Sequence, residues 1–294
     1  MLGTSERDIV NEKIYILLPV HNRRETTSRF ICSLNAQSYR NFHLVLIDDG
    51  STDGTADLVG EAVPSVVVLR GTGGWWWAGA LQRGYDWLND HQADAADFVL
   101  MINDDTEFAP DFLERALSLL RGRERSMLQA WCYCRASGDL IDSGGRMDWR
   151  KFRFSQAENV EAINCLSTNG LLMRIGDFRA TGGFYPKLLP HYLSDYEFSM
   201  RACRLGIKPV TDPSFALWLD QTTSGYHDLY VRSIAHSLRR IFSKKSSRNP
   251  FIFTAFVYLA SPSRYKFINL LRVWRNFLFD CYLLIKAARE AEPK

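Results

Sequence analysis

What this 294-residue chain lacks narrows its function before anything it contains does. No run approaches the roughly 18 apolar residues of a membrane-crossing helix, so no transmembrane segment is expected. The opening MLGTSERDIVNEK has no apolar signal-peptide core, so secretion is not expected. The six cysteines stand at 32, 132, 134, 165, 203 and 281, and only Cys132 and Cys134 lie close together. A CxC without a second pair is a poor zinc signal, and the set reads as buried reduced thiols of a cytoplasmic protein. There is no GxxxxGK[ST], which excludes a P-loop NTPase, and no GxSxG elbow or HExxH. There is no strand–GxGxxG–helix either, since Gly71-Thr-Gly73-Gly74 lacks the third glycine at its spacing. Internal repeats and low-complexity linkers are absent. Hydrophobic residues make up 46% and charged residues 23%, which excludes a disordered or fibrous chain.

The net charge of +3 hides an asymmetry. Residues 232–294 hold 13 Lys+Arg and 3 Asp+Glu, whereas residues 1–231 hold 23 and 30. A basic end can meet nucleic acid or an anionic membrane. This one interleaves Lys and Arg with aromatic and aliphatic residues, as in Tyr265-Lys266-Phe267 and Trp274-Arg275. That pattern fits amphipathic helices, either lying on a membrane interface or packed on the main domain. It contains no recognised nucleic-acid reading motif, so nucleic acid is not expected as a partner.

The first hundred residues alternate strand and helix. Ile14–Leu18, Leu44–Ile47, Val66–Leu69 and Phe98–Ile102 are short apolar runs with strand character, and helix-like stretches at 26–37, 52–62 and 78–90 separate them. The order βαβαβαβ predicts an α/β fold, a Rossmann-like and mostly parallel sheet flanked by helices. Ligands of such sheets bind beyond the carboxyl ends of the strands. Three polar clusters fall there: Pro19–Asn22, Asp48–Ser51 and Asn103–Asp105. Farther on the pattern is less regular, with helices expected at 111–120 and 195–205 and a strand at 171–174.

Each cluster has a chemical reading and a plainer one. Carboxylates just past a buried strand, as in Asn103-Asp104-Asp105, offer the oxygen ligands that Mg²⁺ or Mn²⁺ takes alongside substrate phosphates, or else they are solvated acids of a turn. Asp48-Asp49 could accept from a ribose hydroxyl or a base N–H, or cap the next helix. Asp195 and Glu197 open a helix, where one could serve as general base, or both could simply favour the helix dipole. His227 gains weight only if a metal is bound nearby. Trp75-Trp76-Trp77, flanked by glycine, could place one ring in the core and another against a ligand.

Taken together these segments have a family likeness. Ile16-Leu-Leu-Pro-Val-His-Asn22, Ser33-Leu-Asn-Ala-Gln-Ser38 and Leu46-Ile-Asp-Asp-Gly-Ser-Thr-Asp-Gly-Thr55 closely resemble the opening of family 2 glycosyltransferases with the GT-A fold. Asn103-Asp104-Asp105 resembles the DxD metal motif, Thr181-Gly-Gly-Phe184 the acceptor-side loop, and Ser194–Gly206 the acidic helix that carries the base. The likeness spans about residues 12–230, and Gly-Gly-Trp-Trp-Trp-Ala-Gly is similar to bacterial cell-surface polysaccharide transferases. It implies a GT-A domain over 1–231, with a nucleotide-sugar half at about 12–105 and an acceptor half at about 106–231, followed by a basic amphipathic helical tail over 232–294. It implies an inverting transferase that uses a nucleotide-sugar (a UDP- or dTDP-sugar), Mn²⁺ or Mg²⁺, and a glycan or lipid-linked acceptor, working in O-antigen or capsule assembly at the inner membrane surface. Residue by residue, it puts Pro19, His21 and Asp49 on the base and ribose, with Asn22 and Gly74 also on the donor side. Asp104 would face the diphosphate, Asp105 would bind the metal, His227 would be a further metal or diphosphate contact, and Asp195 would be the general base. Two departures stand out: Asn103 replaces the first acid of the motif, and Leu81-Gln82-Arg83-Gly84 lacks the family's Arg-Asn pair. The alternative is a degenerate, non-catalytic nucleotide-sugar-binding scaffold. A sugar nucleotidyltransferase is disfavoured, because Pro-Val-His-Asn-Arg-Arg has no glycine-rich loop.

Overall fold

A computed structural model describes residues 12–220, 239–244, 246 and 248–290. The predicted alternation is realised. Strands β1 (Ile14–Val20), β2 (Phe42–Asp48), β3 (Val67–Arg70) and β4 (Phe98–Met101) pair in parallel in the order β3-β2-β1-β4. Successive side chains of a strand face opposite sides, and here both sides are apolar. Ile16, Leu18, Leu44 and Leu46 pack with Phe30 and Leu34 of α1 (Arg24–Asn35) and Val59 of α2 (Thr55–Ala62). Leu17, Val45 and Ile47 pack on the opposite side with Ala78 and Leu81 of α3 (Trp76–Asp90).

Beyond β4 the sheet becomes mixed. The next strands are β5 (Thr106–Phe108), β6 (Ser126–Cys134), β7 (Leu140–Asp142), β8 (Gly145–Asp148), β9 (Arg153–Gln156), β10 (Leu171–Arg174) and β11 (Lys208–Leu219). The main sheet continues from β4 as β10-β6-β11-β5, with β7 beside β6, and β8 and β9 form a separate pair. β10 runs antiparallel to both neighbours, and β11 runs parallel to β6. The sequence pattern yields β10 but neither β6 nor β11. β11 carries Pro209 and Pro213, which argue against a strand, and its register slips between Asp212 and Ala216, so that Pro213 sits in the bulge.

Helices α4 (Phe112–Leu120), α5 (Ile175–Thr181) and α6 (Ser194–Arg204) cover this half. In the tail, α7 (Pro250–Ala260) starts at a proline and is capped by Asn249, whose Oδ1 accepts from the N–H of Phe251 at 3.0 Å. Its Phe256 is fully buried against Trp149, and Arg204 of α6 donates to the terminal carbonyls of Leu259 and Ala260. α8 (Ser263–Glu290) is tied down near its start, where buried Asn269 donates to Trp149 O at 3.0 Å and Arg272 to Arg150 O at 2.7 Å. The tail therefore packs on the main body through α7 and the first turns of α8. All six cysteines are free thiols; Cys132, Cys134 and Cys165 are buried as expected, but Cys32 is exposed on α1. No helix among the described residues is long and apolar enough to cross a membrane.

Candidate active site

The carboxyl ends of β1, β2 and β4 bring the three polar clusters to one edge. Pro19 is buried within β1. His21 and Asn22 follow it and are exposed, with Asn22 in the left-handed region at φ 51°. His21 Nδ1 lies 2.7 Å from Asp49 O, and Asn22 Oδ1 accepts the N–H of Thr52 at 2.8 Å, so the ends of β1 and β2 are laced together.

The Asp49 carboxylate accepts three backbone N–H groups, from Gly73 at 2.9 Å, Trp75 at 2.8 Å and Trp76 at 3.1 Å. This cradle sets the entry to α3. It holds Trp76 at φ 58°, a conformation unfavourable for a bulky residue. It also needs Gly71, because a Cβ there would stand 2.7 Å from Asp49 Oδ1. The helix-capping alternative is not realised at α2, which has no side-chain cap; Asp53 Oδ1 accepts from Thr55 N at 3.0 Å in the turn just before it. All three tryptophans are half-buried. Trp75 and Trp77 pack on the α3-side core, and Trp76 meets His191 edge-on at 6.5 Å between ring centres.

At the end of β4, Asp104 and Asp105 are buried at 5% and 9% exposure. Arg23, unremarked in the sequence pattern, lies across both. Its Nε is 2.8 Å from Asp104 and its Nη2 is 3.2 Å from Asp105. Thr27 Oγ1 also donates to Asp104 at 2.9 Å. Burial raises both carboxyl pKa values, against the pull of Arg23, and brings Asp105 to about 6. Among the described residues Asp105 Oδ1 is buried without a hydrogen-bond partner, and so is Asn103 Oδ1. The Asn103 amide nitrogen donates to Asn169 Oδ1 at 2.6 Å, which orients the amide. Two unsatisfied oxygens two residues apart at the end of β4 suit a hard divalent cation that takes its other ligands from a diphosphate and water. No group of three His, Cys, Asp or Glu that could hold a metal by itself occurs among the described residues. His227 lies outside the described residues.

The two acids at the start of α6 part company. Glu197 is 2% exposed and held by Arg201, which donates from Nε at 3.0 Å and from Nη2 at 2.9 Å. The same guanidinium donates to the carbonyls of Thr181, Gly182 and Gly183, fastening the Gly-Gly-Phe loop to α6. Asp195 has no ion-pair partner among the described residues. It accepts from the N–H of Tyr196 at 2.9 Å and from the N–H of Thr168. Burial, opposed by those bonds and reinforced by Asp142, pushes its carboxyl up to about 6. A carboxylate at that pKa can take a proton at neutral pH.

Gln82 stands where the Arg-Asn pair is missing. Its Oε1 accepts the N–H of Phe184 at 2.6 Å, joining α3 to the Gly-Gly-Phe loop from the other side. A Cβ on Gly183 would fall 2.1 Å from that oxygen, so any larger residue there must displace the Gln82 amide from Phe184. The Gly-Gly pair was a sequence signal for this loop, but its partners Gln82 and Arg201 were not.

A mixed α/β sheet with a parallel half, flanked by helices and followed by a helical segment, is the GT-A fold. The mannosyltransferase PcManGT from Pyrobaculum calidifontis, solved with GDP-Man and Mn²⁺, shares this fold at a TM-score of 0.58 and 15% identity, over 97% of this chain and 77% of that one. S. aureus TarS residues 1–349, solved with UDP-GlcNAc, matches at a TM-score of 0.59 and 17% identity, over 90% and 71%. The chain belongs to glycosyl transferase family 2, whose model matches residues 15–176. A curated relative, the amylovoran biosynthesis glycosyltransferase AmsB of Erwinia amylovora, is 32% identical over 119 residues, 37% of this chain and 36% of that protein. An uncharacterized glycosyltransferase of Rickettsia conorii is 36% identical over 59 residues, 20% of this chain and 10% of that protein. The chain thus aligns with about a third or less of these curated relatives.

Proposed function

We propose that the chain is an inverting glycosyltransferase that moves a sugar from a nucleotide-sugar donor to an acceptor hydroxyl in the assembly of a bacterial cell-surface polysaccharide. The observation that carries this reading is Asp195: a carboxylate raised to about 6, without a cation beside it, on the helix that the Gly-Gly-Phe loop clasps. Asp195 takes the acceptor proton as the hydroxyl attacks the anomeric carbon from the face opposite the leaving diphosphate, so configuration inverts. Pro19, His21, Asn22 and Gly74 form the donor-side rim with Asp49, which acts by shaping the Gly73–Trp76 turn. Asp104, neutralised by Arg23, stands behind the diphosphate. Asp105 and Asn103 would hold Mn²⁺ or Mg²⁺, which supplies positive charge for the departing diphosphate when bound. The complexes of PcManGT with GDP-Man and Mn²⁺ and of TarS with UDP-GlcNAc support a nucleotide-sugar donor and a metal here. The AmsB relationship supports a polysaccharide pathway.

The domain division follows the same reading, with a transferase domain to about 231 and the helical tail as a separate functional element. Phe267, Leu271, Trp274, Leu278, Tyr282 and Ile285 recur at helical spacing along α8, and all are exposed, Phe267 at 74% and Leu278 at 65%. Arg264, Lys266, Arg275 and Lys286 accompany this stripe. An exposed apolar stripe with basic neighbours supports peripheral docking on an anionic membrane face. That would bring the site to a lipid-linked acceptor.

A thermal-shift panel of sugar nucleotides, each with and without Mn²⁺, tests the donor assignment, because a ligand of the folded state raises its apparent stability. A metal-dependent rise with one nucleotide is expected, and no rise with any nucleotide would overturn the reading. Binding without turnover on any acceptor would instead mark the chain as a scaffold. Co-sedimentation with anionic vesicles, lost on replacing Phe267 and Leu278 by Ser, tests the tail. Self-association through the same stripe, without vesicle binding, would refute membrane docking.

A further inference from the structure

Asn103 stands where the family motif has its first acid, and the exchange matters because an amide has two unlike ends. A carboxylate presents an oxygen at either end, whereas an amide presents an oxygen at one end and an NH₂ donor at the other. Only the oxygen can face a cation. The Asn103 amide is turned the way a cation requires. Its Nδ2 donates to Asn169 Oδ1 at 2.6 Å, and its Oδ1 is buried without a partner among the described residues, as is Asp105 Oδ1. A buried NH₂ left without an acceptor is costly, so the acceptor on Asn169 decides which end of Asn103 is free to meet a ligand.

The chain around Asn169 is pinned on both sides. After it, the Gly170 N–H donates to Met101 O at 3.1 Å and the Gly170 carbonyl accepts from Ala130 N at 3.0 Å, which laces this point to β4 and β6 at once. Before it, Thr168 is buried; its N–H donates to Asp195, and its Oγ1 accepts from Trp77 Nε1 at 3.3 Å. Ser167 N donates to Gln129 Oε1 at 2.8 Å. A short run thus reaches β4, α3 and α6 together, and Asn169 is its contact with the motif. We propose that Asn169 is a positioning residue for the cation site: it holds the Asn103 amide with the oxygen turned to the divalent cation, and so lets a neutral residue serve where the motif has an acid. The proposal rests on the reading of Asp105 and Asn103 as the cation's ligands. It has a consequence that a packing role lacks. The need for Asn169 ends once position 103 carries a carboxylate, because both ends of that group are oxygen.

Titration of Mn²⁺ into the full chain, followed by the electron paramagnetic resonance signal of the free ion, tests this. Wild type is expected to bind the ion and Asp105→Asn to bind it far more weakly, which locates the site. Asn169→Leu offers the amide no acceptor and is expected to weaken Mn²⁺ binding by about tenfold or more, as loss of a ligand's hydrogen-bond partner does. Asn169→Ser, too short to reach Asn103, should weaken it likewise, and it keeps the test open where the leucine variant does not fold. In the Asn103→Asp background, Asn169→Leu should change the affinity little, so the two positions are coupled. Unchanged affinity in the Asn169 variants, or the same loss in the Asn103→Asp background as in wild type, would overturn the proposal. A wild type that does not bind Mn²⁺, or binds it no better than Asp105→Asn, would overturn the cation reading and this proposal with it, so the two failures are distinguishable.

Discussion

Replacing Arg201 by Met removes the one strong partner of a buried acid. Glu197 is 2% exposed and the Arg201 side chain 14%, so their bidentate pair is shielded from water. The variant leaves the carboxylate with only Arg204, which lies 3.9 Å away and is itself largely exposed. Breaking a buried pair by removing one side costs about 3–5 kcal/mol, and the distant Arg204 places this case near the lower end, about 3 kcal/mol. The carbonyls of Thr181, Gly182 and Gly183 lose their donor as well. Glu197→Gln removes the charge but keeps the shape and leaves Arg201 its three carbonyls, so it should cost only about 1–2 kcal/mol. Urea unfolding of both variants and of the double variant gives the coupling directly. A loss below about 1 kcal/mol for Arg201→Met would refute the claim that this pair clamps the loop to α6.

Asp195→Asn should lower transfer by about 10²–10⁴ while sparing donor affinity, read from kcat and donor titration. In the wild type the rate should fall about tenfold per pH unit below about 6, as the base takes up its proton. The stability sign is opposite: the folded-state pKa lies above the ordinary 3.8, so protonation between about 6 and 3.8 stabilises the fold. Asp195→Asn should therefore melt higher than wild type at pH 7, with the advantage gone below pH 4. Gly183→Ala would place Cβ 2.1 Å from Gln82 Oε1 and should cost about 1–3 kcal/mol, measured by denaturation, with weaker acceptor use. Gln82→Leu orphans the Phe184 N–H and should cost about 1–3 kcal/mol by the same assay.

The parallel half of the fold was legible because its strands are short apolar runs buried on both faces, each ending in a polar cluster. The second half was not. β6 buries Gln129 fully and β11 holds two prolines, one of them in its bulge, so neither shows a strand period. The acids of the site were legible as residue types, but their division of labour was not. Nothing in Ser194-Asp-Tyr-Glu says that Glu197 is spent on Arg201 four residues on, while Asp195 stays without a cation. The contacts of Arg23 and Gln82 were not legible because their partners lie 81 and 102 residues away, a distance no local pattern spans. Of the two alternatives for the tail, packing on the main domain holds for α7, which meets α6, while one face of α8 is exposed.

In the proposed mechanism Asp105 serves the donor and Asp195 serves the acceptor. Calorimetric titration of a donor sugar nucleotide, with Mn²⁺ and with chelator, separates the two roles across wild type, Asp105→Asn and Asp195→Asn. Metal-dependent donor binding is expected in wild type, with retention in Asp195→Asn and loss in Asp105→Asn. Donor binding that is the same in all three proteins, or independent of the metal, would contradict that mechanism.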